Sequence, residues 1–458
     1  MATTHHKLPA DFKKGRPVHV SIDNSDGKQQ TLTGAHTTHY TNGTVFQLDT
    51  EDPTPECRTK TTEEVAQYLE QELDAEEDFG NYSIKKKVCP PAELYEDSTA
   101  DDLLKWCLRR DLAWVLTSAV GGKLSKKEDL DPIGSWTCFM KNVTAVETEK
   151  AILDYLPVVP LPPTDKICKW YLDTLMKMID DLDSEFIFLH ADEAVYCKVM
   201  MIKWIHEGKY DEVIPLLGGF HTLLVNLKIL RKKYGFLGLK EWWIDSEAVQ
   251  PGSADKADEG RHYFRSIRLH KQSFEALVRF RIDKEIDVNS FSDPMKEAIV
   301  NLRENPCASS LDKLMEAQEF VDFTNKIQDF SGTMAHMTVN YLRDVSNMLA
   351  LVSSVREKCI PRHLQAERVL CRDLHALGHP NYSRYLSYQH VMLSNLYVKN
   401  PKAWDELLNH GFGGSLSGQP FSTEHGDLII EMTVNKEVKV RGGPMQGGYS
   451  TDFDYTIR

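Results

Sequence analysis

Val18, Val20 and Ile22 alternate with His19 and Ser21, the two-residue period of a strand, and the run meets Asp23, Asn24 and Asp26. Two runs rich in Thr and aromatic residues follow at 31–40 and 44–48. Asn42-Gly43 between them suits a tight primed turn, so the opening predicts a strand ending on acids and then a hairpin. Residues 50–62 are polar with Pro53 and Pro55, and Thr61-Thr62-Glu63-Glu64 reads as the start of a helix continuing to Leu73. A stronger helix is predicted over 98–120, where Leu103, Leu104, Trp106, Cys107, Leu108, Leu112, Trp114, Val115 and Leu116 give a wide apolar face that Gly121-Gly122 should end. Pro157, Pro160, Pro162 and Pro163 predict a loop over 156–164, after which Thr164-Asp165 caps a helix to about Asp180.

The pattern then changes to short apolar runs alternating with helical periods. Residues 185–190 are too short for a helix and read as a strand with Asp192 just past its end, and 193–206 carry apolar residues at helical spacing. Residues 211–217 form a second short strand closed by Gly218-Gly219, with a helix from His221 to Tyr234. Strand and helix alternating through short joints imply a parallel extension of a sheet. Residues 250–260 read as a polar loop, and 261–400 as almost purely helical with breaks near Ser290, Pro306, Pro361 and His379-Pro380. A late element at 427–438 lies between Gly-rich segments, and no internal repeat is found. The order predicts an α/β chain, helix-rich overall: a first core part at 1–49, a helical and loop insertion at 50–164, a second core part at 165–249, a helical domain at 250–410, and a C-terminal core helix with a Gly-rich tail at 411–458.

Composition narrows the function classes. A hydrophobic content of 41% with 27% charged residues is that of a folded globular chain, and no apolar run reaches membrane-spanning length. Nine cysteines without paired spacing fit reduced thiols, and with no secretion signal the expectation is an intracellular protein, nuclear or cytoplasmic. A net charge of −14 argues against nucleic acid covering the whole surface. It leaves room for a local groove, for which the best basic stretch is 261–281: Arg261, Arg265, Arg268, Lys271, Arg279 and Arg281 interleave with Tyr263, Phe264 and Phe280. The alternative for that stretch is a solvated helix face over a core stripe.

Several segments together resemble a large group of mostly uncharacterised invertebrate proteins that derive from transposable elements. The stretches that carry the resemblance are Asp23-Asn24-Ser25-Asp26, Thr31-Leu32-Thr33-Gly34, Thr37-Thr38-His39, PIGSWTCF at 132–139, FLHADEAVY at 188–196, LGGFH at 217–221, RHYFRSIRLHKQSFE at 261–275, ALGHPNYSRY at 376–385 and GDLIIEM at 426–432. An acidic strand opening a three-strand meander is also how ribonuclease-H-like nucleases begin. The resemblance therefore implies a ribonuclease-H-like mixed sheet, an N-terminal meander joined by later strand-helix units, with a large helical insertion and transposase-like character. Members tend to be longer at the N-terminus, which implies that Met1 opens a fragment or a shortened copy.

A two-metal phosphoryl-transfer site needs carboxylates from separate elements converging on hard cations. Asp23, Asp192 and Glu431 occur in the order and on the elements such a site would use, so they are the candidate catalytic residues and ligands for Mg²⁺ or Mn²⁺, with DNA as the expected partner held by Arg261, Arg265, Arg268 and Lys271. Each has an ordinary alternative: Asp192 and Asp427 as helix caps, Glu431 as a surface acid, His221 as a cap neighbour or core histidine. Gln29 stands where the group commonly has an acid, and Met432 where it has Gln, departures that point to a decayed or domesticated copy. The competing expectation is a fold retained as a catalytically inactive nucleic-acid or protein interaction module.

Overall fold

A computed structural model describes residues 11–31, 34–49, 99–125, 133–159, 161–329 and 333–435. β1 (Val18–Thr31) and β2 (Gly34–Asp49) are followed by α1 (Thr99–Leu124) and α2 (Trp136–Thr144). Then come β3 (Lys150–Val159), α3 (Asp165–Leu182), β4 (Ile187–Ala191), α4 (Glu193–Ile205), β5 (Val213–Leu217) and α5 (Gly219–Tyr234). Helices dominate the next stretch: α6 (Leu239–Asp245), α7 (Pro251–Asp258), α8 (Tyr263–Glu285), α9 (Asp293–Glu304), α10 (Ala308–Glu316) and α11 (Gln318–Gln328). They continue with α12 (Thr333–Arg356), α13 (Ile360–Ala376), α14 (Pro380–Ser394), α15 (Leu396–Lys399) and α16 (Pro401–His410). A two-residue ladder of β6 (Gly413–Gly414) and β7 (Glu424–His425) leads into α17 (Gly426–Met432).

The chain divides into two compact units. One takes residues 1–90, 149–221 and 384–458 and holds the five-stranded sheet; the other takes 91–148 and 222–383 and is helical. The sheet order is β3-β2-β1-β4-β5. β2 runs antiparallel to both β1 and β3, whereas β4 and β5 continue parallel to β1. The fold is thus α/β and helix-rich with a mixed sheet, and β1 lies at its centre. His19, Ser21 and Asp23 are buried as fully as Val18, Val20 and Ile22, so both faces of β1 are covered. The His19 face carries α17: His19 stacks on Phe46, and Phe46 packs with Leu48, Ala151 and Ile429.

Several expectations are corrected. Asp23 lies within β1 rather than at its end, because the β1 and β2 pairing runs on to Thr31 opposite Gly34. Asn42-Gly43 is no turn: it sits inside β2 opposite Asp23 and Ile22, beside a register shift toward β3. A Cβ on Gly43 would lie 2.6 Å from Leu156 Cδ1, so close approach of β3 requires the glycine there. The third strand of the meander is β3, which occupies 150–159 where an insertion and a Pro-rich loop were expected. α1 runs through Gly121-Gly122 to Leu124, with Gly121 against the Arg303 side chain. Residues 251–258 form α7, not a loop, with Pro251 at its first turn where a missing N–H costs nothing. Residues 222–249 belong to the helical unit and 384–410 to the sheet unit. The helix expected at 61–73 lies outside the described residues.

In the helical unit α1 is the central element, packed by α8, α9, α10, α12 and α13, which cover its wide apolar face and its buried Arg110 and Asp111. Among the described residues no helix is long and apolar enough to cross a membrane.

Candidate metal centre

The parallel strands β1, β4 and β5 bring their C-terminal ends to one edge, the usual place for ligands in such sheets. Pairing of β1 with β4 stops at Ile22 and Ala191, and the next residues are Asp23 and Asp192. β5 stops at Leu217, and Gly218-Gly219 turn directly into α5. α17 lays Asp427 and Glu431 against the same edge. One ligand atom each from Asp23, His221 and Glu431 lie within 4.8 Å of one another, a set that could hold a cation.

Asp427 builds the support. It does not cap its own helix; its carboxylate accepts the Phe220 N–H at 3.1 Å and the His221 N–H at 3.0 Å, and so caps α5 from outside. Oδ2 also meets His221 Nδ1 at 3.1 Å. This approach needs Gly218, whose Cβ would collide with the Asp427 carboxylate and lie 3.0 Å from the Ala191 carbonyl oxygen. Burial alone would raise the Asp427 carboxyl, but the His221 hydrogen bond and charge, then His425, overcome it and hold it at about 2. Burial likewise pulls His221 down, and the Asp427 bond and charge with Asp23 and Asp192 push it up to about 9. The pair is therefore an ion pair with its imidazole oriented, the arrangement of a carboxylate behind a metal-ligating histidine.

Asp23 is equally buried but opposite in behaviour. Burial pushes its carboxyl up to about 7, His221 opposes, and Asp192 and Glu431 push further upward. Its oxygens accept the Asn24 N–H at 2.8 Å and the Asn435 amide at 2.7 Å, and Asn42 in turn donates to Asn435 at 2.9 Å. A carboxylate crowded by two other acids gains most from a cation.

Of the three acids expected as ligands, the structure brings Asp23 and Glu431 together. Asp192 acts on Asp23 and His221 through its charge, while its Oδ1 accepts the Val195 N–H at 2.8 Å as the N-cap of α4. His221, set aside in the sequence as a cap neighbour, takes the third position. The signals for it were its place two residues after Gly218-Gly219 at a strand end and the LGGFH stretch at 217–221.

The basic stretch divides. Arg261 pairs with Glu259, Arg279 with Glu275 and Ser118. Arg281 is buried and donates to the Ile327, Lys326 and Asp329 carbonyl oxygens at the end of α11, so its role is structural. Arg265, Arg268 and Lys271 line a cavity of the helical unit.

The chain belongs to the family described as Domain of unknown function (DUF8702), which matches residues 135–455. That span includes Asp192, His221, Asp427 and Glu431, whereas Asp23 lies before it. No curated protein and no solved structure matches the chain.

Proposed function

We propose that this member of a family of unknown function is a divalent-cation-dependent phosphoryl-transfer protein of the ribonuclease-H-like kind, related to DNA-cleaving transposases. The observation that supports it most is the meeting of Asp23, His221 and Glu431, from three distant parts of the sequence, at the C-terminal edge of the parallel strands. The sheet agrees with that reading: a central β1 bearing an acid, an antiparallel meander on one side, and two parallel strands from strand-helix units on the other.

Asp23 and Glu431 would hold the ion through oxygen, and His221 through Nε2 once the ion displaces the proton there, since Nδ1 is engaged by Asp427. Two oxygens and one imidazole favour Mn²⁺ over Mg²⁺. When bound, such an ion lowers the pKa of a water and neutralises charge on a phosphate oxygen. Asp427 keeps the imidazole in one orientation, and Asp192 adds negative potential at the same edge.

Calorimetric titration with Mn²⁺ tests the reading, paired with an assay of DNA strand cleavage. Wild type should bind Mn²⁺ and gain thermal stability from it; Asp23→Asn, His221→Ala and Glu431→Gln should each lose both binding and cleavage. Binding unchanged in all three variants overturns the site. A second reading, the fold kept as an interaction module without catalysis, is favoured by one observation, the Asn435 amide seated on Asp23 Oδ2. Mn²⁺ binding without cleavage would select it.

A further inference from the structure

The helical unit contains a cavity of about 560 Å³, within the range of small-ligand sites. Its walls are Trp114, Trp136, Phe264, Arg265, Arg268 and Lys271. The basic residues recur every three positions along α8 and form one stripe. Other arginines of this region, Arg261, Arg279 and Arg281, are neutralised by Glu259, Glu275 and Glu285. Among the described residues no carboxylate pairs with Arg265, Arg268 or Lys271. Glu275, which also lines the cavity, is held by Arg279. In a chain of net charge −14, three uncompensated cations facing one cavity form a local anion site.

The rest of the wall is aromatic. Lys271 Nζ lies 5.2 Å from the Trp136 ring centre and 3.4 Å from Thr137 Oγ1. Burial, then Arg356 and Arg268, push its ammonium down to about 8, as expected of a cation with no anion beside it. Phe264 is 57% exposed at the rim, a large apolar ring left in water. Trp114 and Trp136, 3% and 1% exposed, back the cavity from the core side.

We infer that this cavity binds one nucleotide unit, with its phosphate on Arg265, Arg268 and Lys271 and its base against Phe264. Guanidinium groups match phosphate oxygens in geometry, and a base supplies a π face for the exposed Phe264 ring. The inference is independent of the metal centre, which lies in the other unit. Its source is either a free nucleotide or a nucleotide within a single strand.

Calorimetry on the full chain in EDTA, with thymidine 5′-monophosphate, thymidine, inorganic phosphate and an oligo-dT strand as probes, tests it without the cation. The monophosphate should bind, with thymidine and phosphate each at least about tenfold weaker. Arg265→Ala with Arg268→Ala should weaken it about a hundredfold. The urea midpoint should not move, since both side chains are exposed. Phe264→Ala should weaken the monophosphate while leaving phosphate as it was. An oligo-dT affinity above that of the monophosphate assigns the site to a strand; equal affinity assigns it to the free nucleotide. Absence of binding by both, binding indifferent to the double variant, or phosphate binding as tightly as the monophosphate would each overturn it.

Discussion

Asp427 in the sheet unit and Asp111 in the helical unit are equally buried, and their carboxyls differ by about four orders of magnitude in acidity, at about 2 and about 6. The difference lies in what each meets. Asp427 faces the N-terminal N–H groups of α5 and a histidine held charged, all of which favour the anion. Asp111 on α1 accepts from Trp136 Nε1 at 2.8 Å and Ser346 Oγ at 2.6 Å, both neutral donors. Burial raises it, and Arg110, Ser346 and Trp136 offset that only in part. Arg110 is itself turned to Glu357 at 2.7 Å and Ser353 at 3.0 Å. A buried acid alone therefore says little about function; Asp427 matters because its charge fixes a histidine that faces two more acids.

The largest expected effect follows from removing that charge. Asp427→Asn leaves His221 buried beside Asp23 without its bonded counter-ion and leaves one oxygen instead of two to cap α5, which should cost about 3 kcal/mol at neutral pH. Gly218→Ala should do comparable damage by driving the carboxylate away, although no charge is changed. Urea unfolding reads both. A midpoint within error of wild type for Asp427→Asn would show that the pair is not a stabilising ion pair, and the contrast with Asp111 would vanish.

The pH dependence of the two acids should have opposite signs. The Asp427 carboxyl is depressed below its ordinary 3.8, so its contribution is present above about pH 4 and is lost as pH falls through 2. The Asp111 carboxyl is raised above 3.8, so the folded protein holds the proton more tightly. Its contribution is greatest below about pH 4 and declines as pH rises through 6, by about 3 kcal/mol in all. Asp111→Asn, which keeps the shape, should therefore become more stable relative to wild type between pH 4 and 7, and Asp427→Asn less stable between pH 2 and 4. Parallel curves for the two variants would refute the assignment.

Within the sheet unit itself, some elements were legible in the sequence and others were not. Val18 to Ile22, the strands before Asp192 and Gly218, and the Thr164 cap of α3 follow from period, length and cap chemistry, and the structure has them. Misreadings arose where one local signal admits two tertiary contexts. Asn42-Gly43 was read as a turn because the same dipeptide makes hairpins, but here Leu156 of the neighbouring strand needs the missing Cβ. Pro157 was read as breaking structure, yet β3 is the outer strand of the sheet, where one lost donor is tolerated. In the helical unit the polarity of 250–260 reads as a loop, but Pro251 opens α7 there. Asp23 and Glu431 were found because acids near strand and helix ends stand out. His221 was not, since its role depends on Asp427, 206 positions away in sequence, and no local pattern records that distance.

The smallest expected effect separates a cap from a ligand. Asp192 Oδ1 accepts the Val195 N–H, and an asparagine oxygen would do the same, so Asp192→Asn should leave the unfolding free energy in urea within about 0.5 kcal/mol of wild type. Asp192→Ala removes the acceptor and should cost about 1 kcal/mol. The two variants share one electrostatic consequence, loss of a negative charge near Asp23 and His221. If Asp192 acts at the edge only through its field, both should weaken Mn²⁺ binding alike and mildly, far less than Asp23→Asn, because the three ligand atoms stay in place. Loss of Mn²⁺ binding in Asp192→Asn as complete as in Asp23→Asn would make Asp192 a fourth ligand, with its cap bond secondary. The metal centre would then be the three-carboxylate arrangement expected from the sequence, with His221 added.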